Sequence, residues 1–153
     1  CAHVEYGDKA ATQKAIDEAA VKVHLDITIP RQLHQPLETR ATMASYDEGT
    51  GEFTLYTNTQ IPHGNKFMIC NLVMGIPYNK LRVIVPAIGG AYGSKGYLYQ
   101  DAPLMLFLAR EVGRPVKRVD TREGLSVTTV HSRGQQQHAT LAGTRDGTIT
   151  ALS

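Results

Sequence analysis

The glycine-rich segment of residues 89–96, Gly-Gly-Ala-Tyr-Gly-Ser-Lys-Gly, is the stretch of this sequence best suited to binding an anion. It lies between an apolar run that predicts a strand and a longer periodic run that predicts a helix. Backbone N–H groups in such a connection, near the first turn of the following helix, form a place where an oxyanion can bind. The alternative is structural: the glycines supply only the positive φ that a sharp turn requires.

The spacing in this loop departs from both common nucleotide-binding motifs. A Walker A loop needs Gly and Lys adjacent before Ser or Thr, whereas Ser94 separates Gly93 from Lys95. The dinucleotide motif needs G-x-G-x-x-G, whereas the glycines here stand at positions 90, 93 and 96. A nucleotide-binding domain that uses this loop for phosphate stays open as one alternative.

Few other polar side chains are candidates for chemistry. His34 and Glu38 stand four residues apart, as a metal-binding pair on a helix would, but Pro36 disfavours that helix. Because no third ligand has matching spacing, we predict no metal site and expect ordinary hydrogen bonding from this pair. Gln60 stands at the end of a predicted strand, just before an apolar helix, a position from which functional side chains often project. We expect structural roles for His63 and His131. For Arg122 and Glu123 we expect a local ion pair or a cap.

Hydrophobic periodicity predicts the elements that position these residues. Strands are predicted at residues 21–29, 39–46, 52–57, 81–85 and 116–119, with a closing hairpin at 135–152 around a two-residue turn signal at 145–147. Helices are predicted at residues 9–20 with Asp8 as N-cap, at 62–74 ending at Gly75, and at 99–112 ending at Gly113. The central order of two strands, helix, strand, helix, strand predicts one mixed α+β unit with flanking strands.

Two of these predictions concern burial. Residues 67–74 are apolar almost all round, which predicts a buried helix. The alternation over residues 21–29 predicts a half-buried strand that ends at Pro30.

Size and composition exclude several classes of function. The 153 residues, 42% of them hydrophobic, suffice for one domain, which we place at residues 1–153. A formal net charge of +2 gives no electrostatic reason for binding nucleic acid, and no apolar run reaches the roughly 18 residues of a membrane span. Cys1 and Cys70 are too few for an iron–sulfur cluster, and Cys70 lies in an apolar run that predicts a buried, reduced thiol. Reduced thiols favour a cytoplasmic location. The chain begins without Met and without a signal peptide, so we expect a fragment of a longer protein.

Six short segments form a series along the chain: Gly7-Asp8, residues 31–40 (RQLHQPLETR), Thr59-Gln60, residues 74–77 (MGIP), residues 89–95 (GGAYGSK) and residues 113–116 (GRPV). In this order and spacing they resemble the large subunit of the molybdenum hydroxylases. That family includes xanthine oxidase, aldehyde oxidoreductases and aerobic carbon monoxide dehydrogenase. The resemblance covers the first part of a much longer subunit, so it implies an N-terminal piece of the molybdopterin-binding region.

The resemblance implies a fold and a set of roles. The fold is a two-layer β-β-α-β-α-β cofactor-binding unit, the same order that periodicity predicts. The side-chain amide of Gln60 would hydrogen-bond an oxygen on molybdenum, and the backbone amide of Tyr92 would approach the molybdenum oxo group. The implied cofactor-binding residues are Gln60, Gly89, Gly90, Ala91, Tyr92 and Gly93, with no metal ligand and no catalytic residue in this chain.

Three positions depart from the family pattern. Tyr92 stands where Phe is usual, which adds a hydroxyl that needs a partner if it is buried, and Ala91 replaces a common Gly. Gly96 stands where the xanthine oxidases carry a substrate-contacting Glu. The resemblance therefore implies the aldehyde, heterocycle and carbon monoxide branch rather than a purine substrate.

In this family a molybdenum-bound hydroxide, activated by a Glu base, attacks an electrophilic carbon. That Glu belongs to the remainder of the large subunit, so no glutamate of this chain is assigned the role. The implied cofactor is molybdopterin with molybdenum, in the cytosine dinucleotide form, which we expect to be absent from this piece alone. The implied partners are the rest of the large subunit and iron–sulfur and FAD subunits or domains. The alternative is a non-enzymatic binding or assembly domain that keeps the fold.

Overall fold

The computed structural model describes residues 3–153, so Cys1 lies outside the described residues. They form two compact units, residues 33–132 and residues 3–32 with 133–153. The strands are β1 (Val21–Gln32), β2 (Ala41–Asp47), β3 (Glu52–Thr57), β4 (Leu81–Ile84), β5 (Val116–Val119), β6 (Ser132–Gly143) and β7 (Ile149–Leu152). The helices are α1 (Lys9–Glu18), α2 (Pro62–Met68), α3 (Asp101–Val112) and α4 (Arg122–Thr128), with a π-helical turn at Ile69–Met74 and a 3₁₀ turn at Tyr78–Lys80.

The unit of residues 33–132 is a four-stranded sheet covered on one face by helices. The strand order is β4-β3-β2-β5, with β3 parallel to β4 and the other two pairs antiparallel. A parallel neighbour needs a crossover connection, which α2 and its π-helical turn provide between β3 and β4. The predicted α+β class and the order β-β-α-β-α-β are therefore confirmed. Its core comprises Ala44, Phe53, Leu55, Ile69, Cys70, Leu81, Ala102, Met105, Leu106 and Ala109.

The apolar helical stretch that follows β3 is only partly buried. Ile69 and Cys70 face the core, and burial raises the pKa of the Cys70 thiol, which keeps it protonated. The predicted burial of the whole stretch is wrong, because Phe67 is 55% exposed and Leu72 is 71% exposed. Only one side of a helix can pack on the sheet. The opposite side of this stretch is also apolar, but the rest of the unit does not cover it. Gly75 ends the stretch with φ 63° as predicted.

Helix α4 is an element that the sequence pattern did not predict. Thr121 caps it by accepting a hydrogen bond from the Gly124 N–H, but Gly and β-branched residues weaken the helical signal. Arg122 does not form the predicted local ion pair or cap. Its guanidinium instead donates to the carbonyl oxygens of Pro36 and Leu37, at 2.5 Å each. Helix α4 thus holds the segment that precedes β2.

The unit of residues 3–32 and 133–153 is a sheet of order β1-β6-β7, with α1 packed against β7. Asp8 caps α1 as predicted, by accepting from the Ala11 N–H at 2.9 Å. Strand β1 continues through Pro30 to Gln32, and its predicted half-buried face is largely exposed, with Val23 and Leu25 each 55% exposed. The predicted two-residue turn is a five-residue connection, 144–148, because the Asp146 carboxylate accepts from the groups around it.

None of the helices formed by residues 3–153 has the length and apolar character needed to cross a membrane.

A buried charge cluster joins the sheet to the helices. The Arg40 side chain, 7% exposed, donates to Asp120 at 2.7 and 2.9 Å and lies 3.3 Å from Asp101. Arg118 binds the same two carboxylates at 2.8 Å. The Arg40 guanidinium also stacks 3.7 Å from the ring centre of Tyr99. The start of β2, the end of β5 and the start of α3 are therefore fixed to one another.

We predict that Asp120→Asn lowers the free energy of unfolding by about 3–5 kcal/mol, because it leaves buried Arg40 without its main counter-charge. Denaturant unfolding followed by circular dichroism measures the change. The control is Glu111→Gln, which breaks an exposed pair with Arg110 and should cost less than about 1 kcal/mol. Equal effects of the two variants would contradict the prediction.

Candidate functional site

The glycine loop between β4 and α3 is built from successive tight turns. Gly90, Tyr92 and Gly93 have φ of 91°, 51° and 92°, all in the left-handed region. The Ser94 N–H donates to the Ala91 oxygen at 2.9 Å, and the Gly96 N–H donates to the Gly93 oxygen at 3.1 Å. Glycine adopts this backbone readily, whereas Tyr92 does so at a cost of about 1–2 kcal/mol. The rest of the unit must therefore hold the loop in shape.

The loop presents a series of free backbone donors. Within residues 3–153, the N–H groups of Gly90, Ala91, Tyr92 and Gly93 have no hydrogen-bond acceptor. All four residues are exposed or half-buried, and Tyr92 is 72% exposed, so its hydroxyl needs no protein partner. Consecutive amides in such turns form a concave site for an anion. This part of the loop is suited to bind an oxygen atom that carries partial or full negative charge.

The two ends of the loop meet at Glu38. Its Oε2 accepts from the Gly89 N–H at 3.0 Å and from Lys95 Nζ at 2.7 Å, and its own N–H donates to the Gly89 oxygen at 3.0 Å. Lys95 is 2% exposed. Burial raises the pKa of Glu38, but the hydrogen bonds from Lys95 and Gly89 outweigh it, and the net pKa lies below the usual value. Glu38 is therefore ionised at neutral pH.

Gly89 is required by close packing. A Cβ at this position would lie 2.7 Å from the Glu38 Cβ, closer than two carbon atoms can approach. At Gly90 a Cβ would lie 3.6 Å from Pro36, so the left-handed φ is the stronger constraint there. Gly89 is thus required by its close contact with Glu38, and Gly90 is required by its left-handed backbone conformation.

Gln60 lies beside the other end of the loop. Its N–H donates to the Lys95 oxygen at 3.0 Å, and its side-chain Oε1 lies 3.7 Å from where a Cβ on Gly96 would stand. The neighbouring Thr59 hydroxyl donates to the same Lys95 oxygen at 3.1 Å, and Asn65 donates to that hydroxyl at 2.9 Å. The end of β3 is thus bonded to the loop. The exposed Gln60 side chain therefore lies at the Gly96 end of the loop that carries the free amides.

A small polar cavity lies among the residues that support the loop. Arg40, Asn65 and Lys95 are among its lining residues, and its volume is about 20 Å³. Within residues 3–153, Arg40 Nη1 and Asn65 Oδ1 are the buried side-chain atoms without a hydrogen-bond partner. One water molecule fits a cavity of this size, and it can accept from the first atom and donate to the second.

Two histidines predicted to have structural roles bond to backbone oxygens, and one of them lies beside the loop. His34 Nδ1 donates to the Val130 oxygen at 3.3 Å, and its Nε2 lies 3.8 Å from where a Cβ on Gly93 would stand. His131 Nε2 donates to the Ser126 oxygen. Residues 3–153 hold no cluster of three His, Cys, Asp or Glu side chains arranged for a metal ion. His34 and Glu38 bond to different groups, the Val130 oxygen for His34 and the Gly89 N–H and Lys95 ammonium for Glu38.

The whole sequence, residues 1–153, matches the family described as the molybdopterin cofactor-binding domain. The chain belongs to that family. The resemblance to molybdenum hydroxylase large subunits is confirmed, and the fold and loop described above are those of a molybdopterin cofactor-binding domain.

Relatives of this molybdopterin cofactor-binding domain carry several oxidoreductase names. The chain is 36% identical over 146 residues to the carbon monoxide dehydrogenase large chain of Hydrogenophaga pseudoflava, which covers 95% of this chain. It is 34% identical over 139 residues to the aldehyde oxidoreductase molybdenum-binding subunit PaoC of Escherichia coli, which covers 91% of this chain. The chain spans 18% and 19% of the length of these relatives.

Solved structures show the same fold. The reconstituted CO dehydrogenase from Oligotropha carboxidovorans superposes with a TM-score of 0.87 and 35% identity, over 95% of this chain and 18% of that chain. Quinoline 2-oxidoreductase from Pseudomonas putida 86 superposes with a TM-score of 0.84 and 30% identity, over 91% of this chain and 18% of that chain. The chain is therefore similar to one part of larger molybdenum enzymes.

Sequence reasoning missed Glu38 and Lys95 as partners in this site. They stand 57 positions apart, and neither position carries a local signal of pairing. The one available signal of this pairing was Lys95 itself. A lysine in a glycine loop without the Walker A order is not placed to bind phosphate, so it needs another partner.

We predict that Gly89→Ala lowers the free energy of unfolding by about 1–3 kcal/mol, because the added methyl group overlaps the Glu38 Cβ. Thermal and denaturant unfolding of the variant measures the loss. Gly64→Ala in α2 is the matched control, since its nearest contact would be an ordinary 3.4 Å. That control should leave stability unchanged or raise it by up to about 1 kcal/mol. An unaffected Gly89→Ala variant would show that the close contact is not real.

Proposed function

We propose that this chain forms part of the molybdopterin site of a molybdenum hydroxylase-type oxidoreductase that acts on an aldehyde, an N-heterocycle or carbon monoxide. The observation that carries the proposal is a glycine loop with four free amides whose far end, at Gly96, lies beside the exposed side chain of Gln60. The names of the relatives support the reaction class.

The residues present fit an anionic cofactor. N–H donors stabilise negative charge without a counter-ion, and the small residues Gly90, Ala91 and Gly93 allow the cofactor to approach the backbone closely. The positive φ values at Gly90, Tyr92 and Gly93 are typical of turns whose successive N–H groups bind an anion. No acidic side chain among the described residues bonds to these four amides, so they are free for such a ligand.

The position of Lys95 favours a molybdopterin site over a nucleotide-binding domain that uses this loop for phosphate. In a P-loop the lysine reaches the phosphates of the bound nucleotide. Here the Lys95 ammonium is buried and bound to Glu38 at 2.7 Å, so it is not available to a phosphate on the surface of the loop.

In the proposed site, Gln60 donates its side-chain N–H to an oxygen of the cofactor, and the Tyr92 amide donates to another. Gly89, Gly90, Ala91 and Gly93 complete the surface on which the cofactor rests. When bound, the cofactor supplies the redox chemistry of substrate hydroxylation. The residues of this chain bind and orient it, and the catalytic base belongs to another part of the protein.

The remaining features of the proposal concern the whole protein. We propose the cytosine dinucleotide form of molybdopterin, a cytoplasmic location, and partners that carry iron–sulfur clusters and FAD. Residues 1–153 are proposed as one domain at the N-terminal part of the molybdopterin-binding region. These points rest on the family relationship, since the chain spans 18% of its carbon monoxide dehydrogenase relative.

We predict that Gln60→Ala in the full-length protein lowers kcat at least tenfold, because the cofactor loses a hydrogen bond from this side chain. Steady-state kinetics on the natural substrate, with circular dichroism as a check of folding, measure the effect. Gln13→Ala, an exposed glutamine in α1, is the matched control and should retain wild-type turnover. Unchanged turnover in Gln60→Ala would refute the assigned role.

We predict that the 153-residue chain, produced alone, carries no molybdenum and has no hydroxylase activity, because most of the cofactor-binding surface belongs to the rest of the subunit. Elemental analysis by mass spectrometry measures the metal content. Stoichiometric molybdenum on the isolated chain would contradict this expectation.

A further inference from the structure

We propose that Glu38 is the positioning residue for the cofactor-binding amides: one of its carboxylate oxygens binds both ends of the glycine loop and so sets the arrangement of the N–H groups between them. The inference rests on the proposed function, because the amides must face the cofactor for their arrangement to matter. Glu38 is assigned a positioning role and not a catalytic one, since its carboxylate oxygen is bonded to Gly89 and Lys95 of the loop.

The two loop residues that Glu38 binds lie on either side of the four free amides in the sequence. Oε2 accepts from Gly89 at one end and from Lys95 at the other, at 3.0 and 2.7 Å. The Glu38 N–H also donates to the Gly89 oxygen, which fixes the first end twice. Residues 90–93, whose amides are free, lie between these two attachments. A shift of the carboxylate would therefore change the distance between the loop ends and the directions of all four amides.

Glu38 is itself held in place by its own segment. Pro36, two residues earlier, is among the fully buried residues of this unit. Arg122 of α4 donates to the carbonyl oxygens of Pro36 and Leu37, which immediately precede Glu38. Gly89 packs against the Glu38 Cβ without room for a side chain. Main-chain and side-chain contacts thus fix the carboxylate from both sides.

Burial of the ammonium makes this arrangement strongly preferred. A buried lysine that loses its counter-charge pays a large desolvation penalty, so loop conformations that separate Lys95 from Glu38 are disfavoured. If Gly89 moved away and the Glu38 carboxylate moved with it, the carboxylate would also leave Lys95. That loop conformation would carry the same desolvation penalty. The charge pair thereby selects a single loop conformation.

The test uses two variants of the full-length protein. Glu38→Asp keeps the charge but shortens the side chain by one methylene, so the carboxylate can no longer reach both partners. The double variant Glu38→Gln with Lys95→Met removes both charges of the pair together, which avoids an unpaired buried lysine if the single change prevents folding. Leu106→Ala, in the core of α3, is the control that lowers stability without touching the loop.

Hydrogen–deuterium exchange of peptides that cover residues 89–96 is the decisive measurement. We expect the hydrogen-bonded amides of this segment, those of Gly89, Ser94 and Gly96, to exchange at least tenfold faster in both Glu38 variants, beyond any acceleration in Leu106→Ala at matched stability. Loop exchange equal to that of the wild type, or equal to that of Leu106→Ala, would overturn the inference. This readout does not depend on a bound cofactor.

The cofactor arm uses the molybdenum electron paramagnetic resonance spectrum and a separation of kcat from KM. We expect Glu38→Asp to change the spectrum and to lower kcat more than it changes KM, while Leu106→Ala retains the wild-type spectrum. An unchanged spectrum despite a loosened loop would overturn the positioning role. A wild-type protein without molybdenum would instead refute the proposed function and leave the exchange result to decide what Glu38 does for the loop.

Discussion

The buried ammonium of Lys95 is the constraint on which the glycine loop depends. A lysine at 2% exposure requires an anion, and Glu38 supplies it from a segment more than fifty positions earlier in the chain. Once that pair is formed, the same carboxylate is placed to accept from Gly89, and the left-handed turns at residues 90, 92 and 93 become the conformations that connect two fixed ends. The surface of free amides is thus a consequence of charge burial beneath it.

A second charge cluster performs the equivalent task for the sheet and its helices. Arg40 and Arg118 face Asp101 and Asp120, so two positive and two negative groups fix β2, β5 and α3 at one end of the unit. Tyr99 connects the two clusters: Arg40 lies over its ring, and its hydroxyl donates to the Ser94 oxygen at 2.5 Å. The loop is therefore tied both to the segment before β2 and to the sheet.

Features that depend on neighbours in sequence were predictable, and features that depend on distant partners were not. The Asp8 cap, the end of the π-helical turn at Gly75, the end of α3 at Gly113 and the strands β2 and β3 follow from local patterns and are found in place. Helix α4 was missed because Gly124 and its β-branched neighbours weaken the local signal. The burial of α2 and β1 was misjudged because an apolar pattern does not reveal whether anything in the same unit covers it. The nearness of Gln60 to the loop was implied by the family resemblance, whereas the Glu38–Lys95 pair, a contact across 57 positions, had no local sign.

The absence of space between Gly89 and the Glu38 Cβ has a consequence for how sequences of this kind diverge. The clash at position 89 is with the Cβ of residue 38, which any side chain there would carry, so glycine stays required at 89 whichever side chain stands at 38. A descendant that loses the acid at 38 must also neutralise or replace the lysine at 95. Positions 38 and 95 should therefore change together among homologues while position 89 stays glycine, and the exposed aromatic at position 92 is free to vary between phenylalanine and tyrosine.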